Sequence, residues 1–317
     1  MKVLVTELMW KDGMEELERN GYTVDYDKEL ARKREELLEL VPNYDALIVR
    51  NETKVDPELL DAAKNTKVIG RLGVGVDNID LQAAKERNLP VIIAKNANAT
   101  SVAEYVMASM LDASRPLNAA DADVRKGNWN RKRFTGYELN GKTLGLVGMG
   151  EIANRVAKRA NAFGMHVIGY DPFVAPFDHV LAETGVRPVD ELNKLLAESD
   201  FVSIHVPKTK ATQHMINKDN LKQMKAHAYI INSARGGIVH EQDLAEAVQS
   251  ENLAGAYLDV LETEPVQKDS PLAKVESISL SPHIAGSTDE AQSRTAMLIA
   301  NEVMKVLNGG KSICAVV

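Results

Sequence analysis

Cysteine is almost absent from this 317-residue chain, Cys314 being the only one. An intramolecular disulfide is therefore excluded, and the composition fits a reducing compartment. Basic residues are not in excess: 38 Lys and Arg against 45 Asp and Glu leave a formal charge of −7, with a sequence pI near 5.6. A general nucleic-acid binder needs surplus cations to neutralise phosphates, so no nucleic-acid partner is expected. No Cys/His cluster has metal-ligand spacing, and no metal is expected. No apolar run approaches membrane-spanning length, and the chain opens directly on strand-like residues 2–6. Neither a signal peptide nor a membrane span is expected, and the cytoplasm is the expected location.

What remains is ordinary for a globular protein, 44% hydrophobic and 26% charged, in a chain long enough for two domains with real cores. Short apolar strands alternate with amphipathic, charged stretches throughout, which predicts an α/β fold with parallel sheets. Strands are expected at 3–6, 23–27, 46–50, 68–71 and 91–94, with helices between them, for example over 13–19 and 57–63. Six more strands are expected at 143–147, 166–170, 201–205, 228–232, 255–259 and 277–281, the number in a full dinucleotide fold. Between the two sets, 99–117 reads as one long helix, with Thr100 or Ser101 as N-cap and Glu104 completing a capping box. A last helix over 289–307 is expected to return to the first domain and make it discontinuous. The expected domains are 1–98 plus 285–317, and 99–284.

The most informative stretch runs Lys142-Thr-Leu-Gly-Leu-Val-Gly-Met-Gly150-Glu-Ile-Ala153. Gly148 turns the chain after an apolar strand, and Gly150 lets backbone N–H groups approach a pyrophosphate at a positive helix N-terminus. The next strand delivers Asp171, 21 residues after Gly150. A carboxylate there accepts from ribose hydroxyls and repels a 2′-phosphate, which favours NAD over NADP. The third glycine of the pattern is replaced by Ala153, a tolerated change because that position only needs close helix–strand packing.

Three later residues each lie just past an expected strand, where ligands bind in open α/β sheets: Arg235 before Gly236-Gly237, Glu264 before Pro265, and His283 after Ser281-Pro282. A cation, a carboxylate and an imidazole are the groups needed to hold an anionic substrate and to move a proton beside a hydride transfer. Each alone has a structural explanation. Together, in the second half of a dinucleotide domain, they form an acid/base set.

Over nearly its whole length the chain resembles the D-2-hydroxyacid dehydrogenase family, and within it the branch that acts on 3-phosphoglycerate. The matching stretches are Gly70-Arg-Leu-Gly-Val-Gly-Val-Asp-Asn-Ile-Asp80, Ser101-Val-Ala-Glu104, Trp129-Asn-Arg-Lys-Arg-Phe134 and Glu138-Leu-Asn-Gly-Lys-Thr143. Further on come the glycine turn, Val202-Ser-Ile-His-Val-Pro207, Ala234-Arg-Gly-Gly-Ile-Val239, Leu258-Asp-Val260 and Ser281-Pro-His-Ile-Ala-Gly286. The resemblance implies two Rossmann-like domains, a flavodoxin-like substrate domain and a doubly wound NAD-binding domain, closing on a cleft about hinges near 98–101 and 283–287. It also implies a homodimer through the region of 99–117.

For the site, the resemblance implies that His283 exchanges a proton with the substrate oxygen, that Glu264 orients its imidazole, and that Arg235 pairs with the substrate carboxylate. Backbone N–H groups of the Gly73-Val74-Gly75 loop would hold the same carboxylate. Cofactor contacts fall on Gly148, Gly150, Glu151, Ile152, Asp171, Val206, Ala234, Arg235, Asp259, His283 and Gly286. Glu151 departs from the basic residue of many relatives, and its carboxylate is expected to point to solvent.

The substrate implied is a small anionic 2-hydroxy or 2-keto acid. Arg50 and Lys54, Lys95, and the Arg131-Lys132-Arg133 cluster are candidate partners for a charged tail, with 3-phosphoglycerate/3-phosphohydroxypyruvate the favoured pair. Lys95-Asn96 stands where relatives usually carry Pro-Gly, and the sequence ends at Val317 where longer relatives continue into a regulatory domain. Sulfolactate oxidation and glyoxylate or hydroxypyruvate reduction are the rival activities. An NAD-sensing scaffold of the corepressor type is the alternative from another class, and formate oxidation is disfavoured because it needs no proton from a His–Glu pair.

Overall fold

The computed structural model describes residues 1–175 and 178–317. The chain divides into two compact units, Met1–Asn98 with Ser287–Val317, and Ala99–Gly286. In the first unit, strands and helices alternate: β1 (Lys2–Val5), α1 (Lys11–Arg19), β2 (Thr23–Tyr26), α2 (Arg34–Leu40), β3 (Ala46–Val49), α3 (Pro57–Ala62), β4 (Val68–Arg71), α4 (Leu81–Glu86) and β5 (Val91–Ile93). All pairings are parallel, in the order β2-β1-β3-β4-β5. β3 is Ala-Leu-Ile-Val with all four residues buried, as expected of a strand covered on both faces. Asp56 and Asp80 start α3 and α4 by accepting from the N–H groups of Leu59 and Ala83. The chain runs from β1 outward to β2 and then crosses back to β3. The strand order therefore reverses between β1 and β3, and in open α/β sheets the crevice beyond such a reversal is where ligands bind.

The second unit opens with α5 (Ala99–Ser114) and α6 (Leu117–Arg125). The single helix expected over 99–117 is thus two, because Pro116 has no N–H to donate and displaces the residue before it from helical geometry. The helix begins at Ala99 as expected, so Thr100 and Ser101 lie inside its first turn rather than capping it. Glu104 faces Arg159 at 3.5 Å.

Then follow β6 (Thr143–Val147), α7 (Glu151–Ala162), β7 (His166–Tyr170), α8 (His179–Thr184), β8 (Arg187–Pro188), α9 (Leu192–Glu198), β9 (Phe201–Ile204), α10 (Lys218–Leu221), β10 (Tyr229–Asn232), α11 (Glu241–Gln249), β11 (Gly255–Leu258) and β12 (Ile278–Leu280). The sheet is parallel in the order β12-β11-β10-β9-β6-β7-β8. It has seven strands where six were expected. The extra one, β8, is two exposed residues long and ends in proline, so it carries no apolar alternation and survives only as an edge. Here the order reverses between β6 and β9, and the glycine turn follows β6 directly.

Helix α12 (Asp289–Leu307) belongs to the first unit. Thr288 caps it by accepting from Ala291 N–H. Its stripe Ala296, Ile299, Ala300 and Val303 is almost wholly buried with Val3, Val5, Ile48 and Val68. Each fully buried valine or isoleucine side chain here contributes about 1.5–3 kcal/mol.

Candidate active site

Beyond β6, Gly148 adopts φ +92°. A Cβ there would come within 2.9 Å of Val206 Cγ1 and 3.0 Å of the His205 carbonyl oxygen. Glycine is therefore needed twice, for the left-handed turn and for the approach to the end of β9. Gly150 differs. It is extended at the N-cap of α7, and a Cβ on it would meet nothing within 4 Å. The protein's own packing does not require glycine at this position. The open space lies over the free N–H groups of a helix N-terminus, where a pyrophosphate fits. Ala153 is fully buried one turn into α7, and Ile152 packs against the adjoining apolar cluster. The residues present fit a dinucleotide.

Asp171 holds this turn together. Its Oδ2 accepts from Met149 N–H at 2.9 Å and its Oδ1 from Phe173 N–H at 2.9 Å. Each carboxylate oxygen keeps a second lone pair for a hydroxyl. The Glu151 side chain is partly exposed and its carboxylate pairs with Arg155, one turn along α7, at 2.8 Å to Nε and 2.6 Å to Nη2. The i,i+4 spacing brings these side chains together. Arg155 also donates to the Thr100 hydroxyl.

Arg235, Glu264 and His283 follow β10, β11 and β12, three adjacent parallel strands, so all three leave the sheet at its carboxyl edge. His283 Nδ1 lies 2.8 Å from Glu264 Oε2, and Glu264 Oε1 accepts from Leu261 N–H at 3.0 Å. Partial burial alone would raise the Glu264 carboxyl. The hydrogen bonds from His283 and Leu261, with the charges of His283 and Arg235, outweigh it and hold the group below the usual carboxylate range. An ionised Glu264 accepts only, so Nδ1 carries the proton in this bond and Nε2 is the nitrogen left to act. The His283 side chain is 52% exposed, and its backbone sits at φ +56°, a region costly for a residue with a Cβ. Arg235 is half-buried, donating from Nη1 to the Ala234 carbonyl at 2.6 Å. Asn232 steadies this corner, accepting from Ala234 N–H and donating to the Arg235 carbonyl.

Asp259 lies beside this loop. It is 1% exposed, and its carboxylate accepts from Ser281 Oγ at 2.6 Å, Ile284 N–H at 2.8 Å and Ala285 N–H at 2.7 Å. The Asp259 carbonyl accepts from His283 N–H at 3.0 Å. The Asp259 carboxylate thus fixes the loop that carries His283. Tyr105, on α5, reaches the same loop with its hydroxyl 2.7 Å from Ser281 Oγ. Sequence reasoning singled out neither Tyr105 nor Ser281 for this part. The only signal was a serine two residues before the candidate histidine. Val206 and Gly286 are half-buried, Val206 against the glycine turn.

In the first unit, Arg50 follows β3 and is half-buried. Burial pushes its pKa down, opposed by the charges of Glu7 and Glu52. Val74 is exposed and Gly75 half-buried on the loop after β4, while Lys95 and Lys54 are exposed. Arg131, Lys132 and Arg133 lie within the second unit and are exposed. Arg133 lies over the Phe134 ring and 4.0 Å from Asp123. Among the described residues no group of His, Cys, Asp or Glu is arranged to hold a metal, and no helix is long and apolar enough to cross a membrane.

Residues 107–285 match the family described as D-isomer specific 2-hydroxyacid dehydrogenase, NAD binding domain. The chain is 45% identical over 309 residues to a D-3-phosphoglycerate dehydrogenase of Archaeoglobus fulgidus, covering 98% of this chain but 58% of that protein. It therefore spans little more than half the length of that relative. It is also 42% identical over 305 residues to an (S)-sulfolactate dehydrogenase of Chromohalobacter salexigens, covering 96% of this chain and 98% of the relative. Among solved structures, the TT0316 protein of Thermus thermophilus superposes with a TM-score of 0.91 at 34% identity, with all of both chains covered. Fold, glycine turn and the matches along the sequence agree: this chain belongs to the D-isomer specific 2-hydroxyacid dehydrogenases, with the family's NAD-binding domain in its second unit.

Proposed function

We propose that this protein interconverts a D-2-hydroxy acid and its 2-keto acid, with NAD(H) as the redox partner and 3-phosphoglycerate/3-phosphohydroxypyruvate as the pair. The observation that carries the reading is the 2.8 Å bond between His283 Nδ1 and an ionised Glu264. It fixes one tautomer and leaves Nε2 to serve a substrate oxygen. When bound, NAD(H) supplies or accepts the hydride. His283 gives its Nε2 proton to the 2-keto oxygen during reduction and takes it back during oxidation. Glu264 keeps Nδ1 protonated throughout and holds the ring in one orientation. Arg235 forms a charge-assisted pair with the substrate carboxylate. In the second unit, Gly148, Gly150, Glu151, Ile152, Asp171, Val206, Ala234 and Gly286 serve the cofactor, and Asp171 selects NAD over NADP. In the first unit, the N–H groups of Val74 and Gly75 serve the carboxylate, and Arg50 takes a charged tail, with Lys95 exposed on the turn after β5 as a further cation.

The substrate pair is tested by NADH oxidation with 3-phosphohydroxypyruvate, sulfopyruvate, hydroxypyruvate and glyoxylate at matched low concentrations. The expected result is a kcat/KM for 3-phosphohydroxypyruvate about tenfold or more above the others, the worth of one charge-assisted hydrogen bond to the tail. Preference for another acid would keep the chemistry and reassign the tail. No turnover with any of the four would reject the enzymatic reading.

A further inference from the structure

At the strand-order reversal of the first sheet, the loops after β1 and β3 meet. Glu7 follows β1 and is 4% exposed. Its Oε1 accepts from Arg50 N–H at 2.8 Å and Thr53 N–H at 3.0 Å, and its Oε2 from Asn51 N–H at 3.0 Å and Glu52 N–H at 2.8 Å. Four consecutive amides thus converge on one carboxylate. Such a run of N–H groups makes a concavity for an anion, and here the chain fills it with its own. On the other side of the loop, Asn78 Nδ2 donates to the Arg50 carbonyl at 3.2 Å and to the Thr53 carbonyl at 2.7 Å. Asn78 belongs to the segment that follows Val74 and Gly75, and its own carbonyl accepts from Val55 N–H at 2.8 Å.

The loop is therefore clamped through its amides by Glu7 and through its carbonyls by Asn78. Its side chain of interest, Arg50, is half-buried, and its guanidinium makes no hydrogen bond among the described residues. A guanidinium loses part of its hydration there and presents unused donors, which suits a phosphate or sulfonate oxygen better than solvent.

We infer that Glu7 is a positioning residue for substrate specificity: by ordering residues 50–53 it sets Arg50 at a fixed reach from the Val74–Gly75 loop, with Asn78 tying the two loops together. The spacing between carboxylate and anionic tail is thereby measured by backbone clamped on both sides. This rests on the proposed role of Arg50 as the tail residue. It adds that specificity depends on a buried acid that never touches substrate.

The test is the ratio of kcat/KM for 3-phosphohydroxypyruvate to that for glyoxylate, measured in the wild type, Arg50→Ala, Glu7→Gln and Asn78→Ala, with NADH affinity measured for each by fluorescence titration. Glu7→Gln places an amide NH2 against two of the four N–H groups. The ratio is expected to fall about tenfold or more, through KM for the phosphorylated acid. An equal fall for both substrates, carried by kcat, would mean general damage and would overturn the inference. If Glu7→Gln does not fold, Asn78→Ala decides, because it removes only the carbonyl side of the clamp. A fall in Arg50→Ala with an unchanged ratio in both clamp variants overturns the inference alone. An unchanged ratio in Arg50→Ala overturns the tail assignment and the inference with it.

Discussion

His283 combines two features: a left-handed backbone at φ +56° and a ring bonded through Nδ1 to an ionised carboxylate. Asp259 makes the first tolerable, since its carboxylate and carbonyl together take the N–H groups of residues 283–285 and the Ser281 hydroxyl. With the backbone so held, the imidazole stands half exposed, and on the proposed reading it offers Nε2 to a substrate oxygen. His283→Ala is therefore expected to lower turnover by about 10²–10⁴-fold while NADH affinity, read by fluorescence titration, stays within a few-fold. Turnover within a few-fold of wild type would remove His283 from its assigned role. That a histidine, a glutamate and an arginine stood after three successive strands was legible in the sequence. That Nδ1 is the occupied nitrogen was not, because it depends on a bond between residues 19 apart.

The strand–turn–helix of β6 and α7 shows how an element can serve its own stability and a ligand at once. Asp171, at the end of β7, bonds Met149 N–H in the turn and Phe173 N–H beyond itself, so the acid expected at the ribose also braces the glycine turn. Asp171→Ala should for that reason weaken NADH roughly tenfold, the scale of one or two hydrogen bonds to a charged group. It should weaken NADPH less, because the repulsion of a 2′-phosphate is removed together with the brace. Kd values for both nucleotides by titration check this; an equal loss for both would leave Asp171 a purely structural part. Elements whose apolar pattern is strong, such as β6 and β7, lie where the pattern puts them. The departures have local causes. Pro116 divides a helix that apolar periodicity alone would continue, and β8 is too short and exposed to show any pattern.

Across the whole molecule, each unit carries a buried carboxylate of depressed pKa that ties distant segments. In the first it is Glu7, where burial raises the pKa but the N–H groups of Glu52, Thr53 and Arg50 bring it below the ordinary value. In the second it is Asp200, where burial is likewise outweighed, by Thr143 N–H at 2.7 Å, Lys225 at 2.9 Å and His227 at 2.9 Å. A carboxyl whose folded pKa is depressed binds protons more readily when unfolded. Its contribution is complete above the unfolded value of about 4 and is lost as pH falls through the lower folded value. Thermal stability should therefore fall steeply below about pH 4. Asp200→Asn should cost about 1–3 kcal/mol at pH 7 and less at pH 3, read as melting temperatures across that range. An equal cost at both pH values would show that the charge of Asp200 is not what stabilises.

By itself the sequence determined the class of the fold, the position of the dinucleotide turn and the residue types available for chemistry. These are local matters, set by the period of apolar residues and by what glycine, proline and acidic side chains do to a few neighbouring peptides. Tertiary structure alone decided which groups are spent on the chain itself. Asp259 spends its carboxylate on the His283 loop; Glu151, at the solvent-facing start of its helix, pairs with Arg155; Glu7 drew no expectation and gathers four amides 43 to 46 residues away. A carboxylate's partner depends on which strands lie side by side, and strand order is a property of the folded sheet that no stretch of sequence contains.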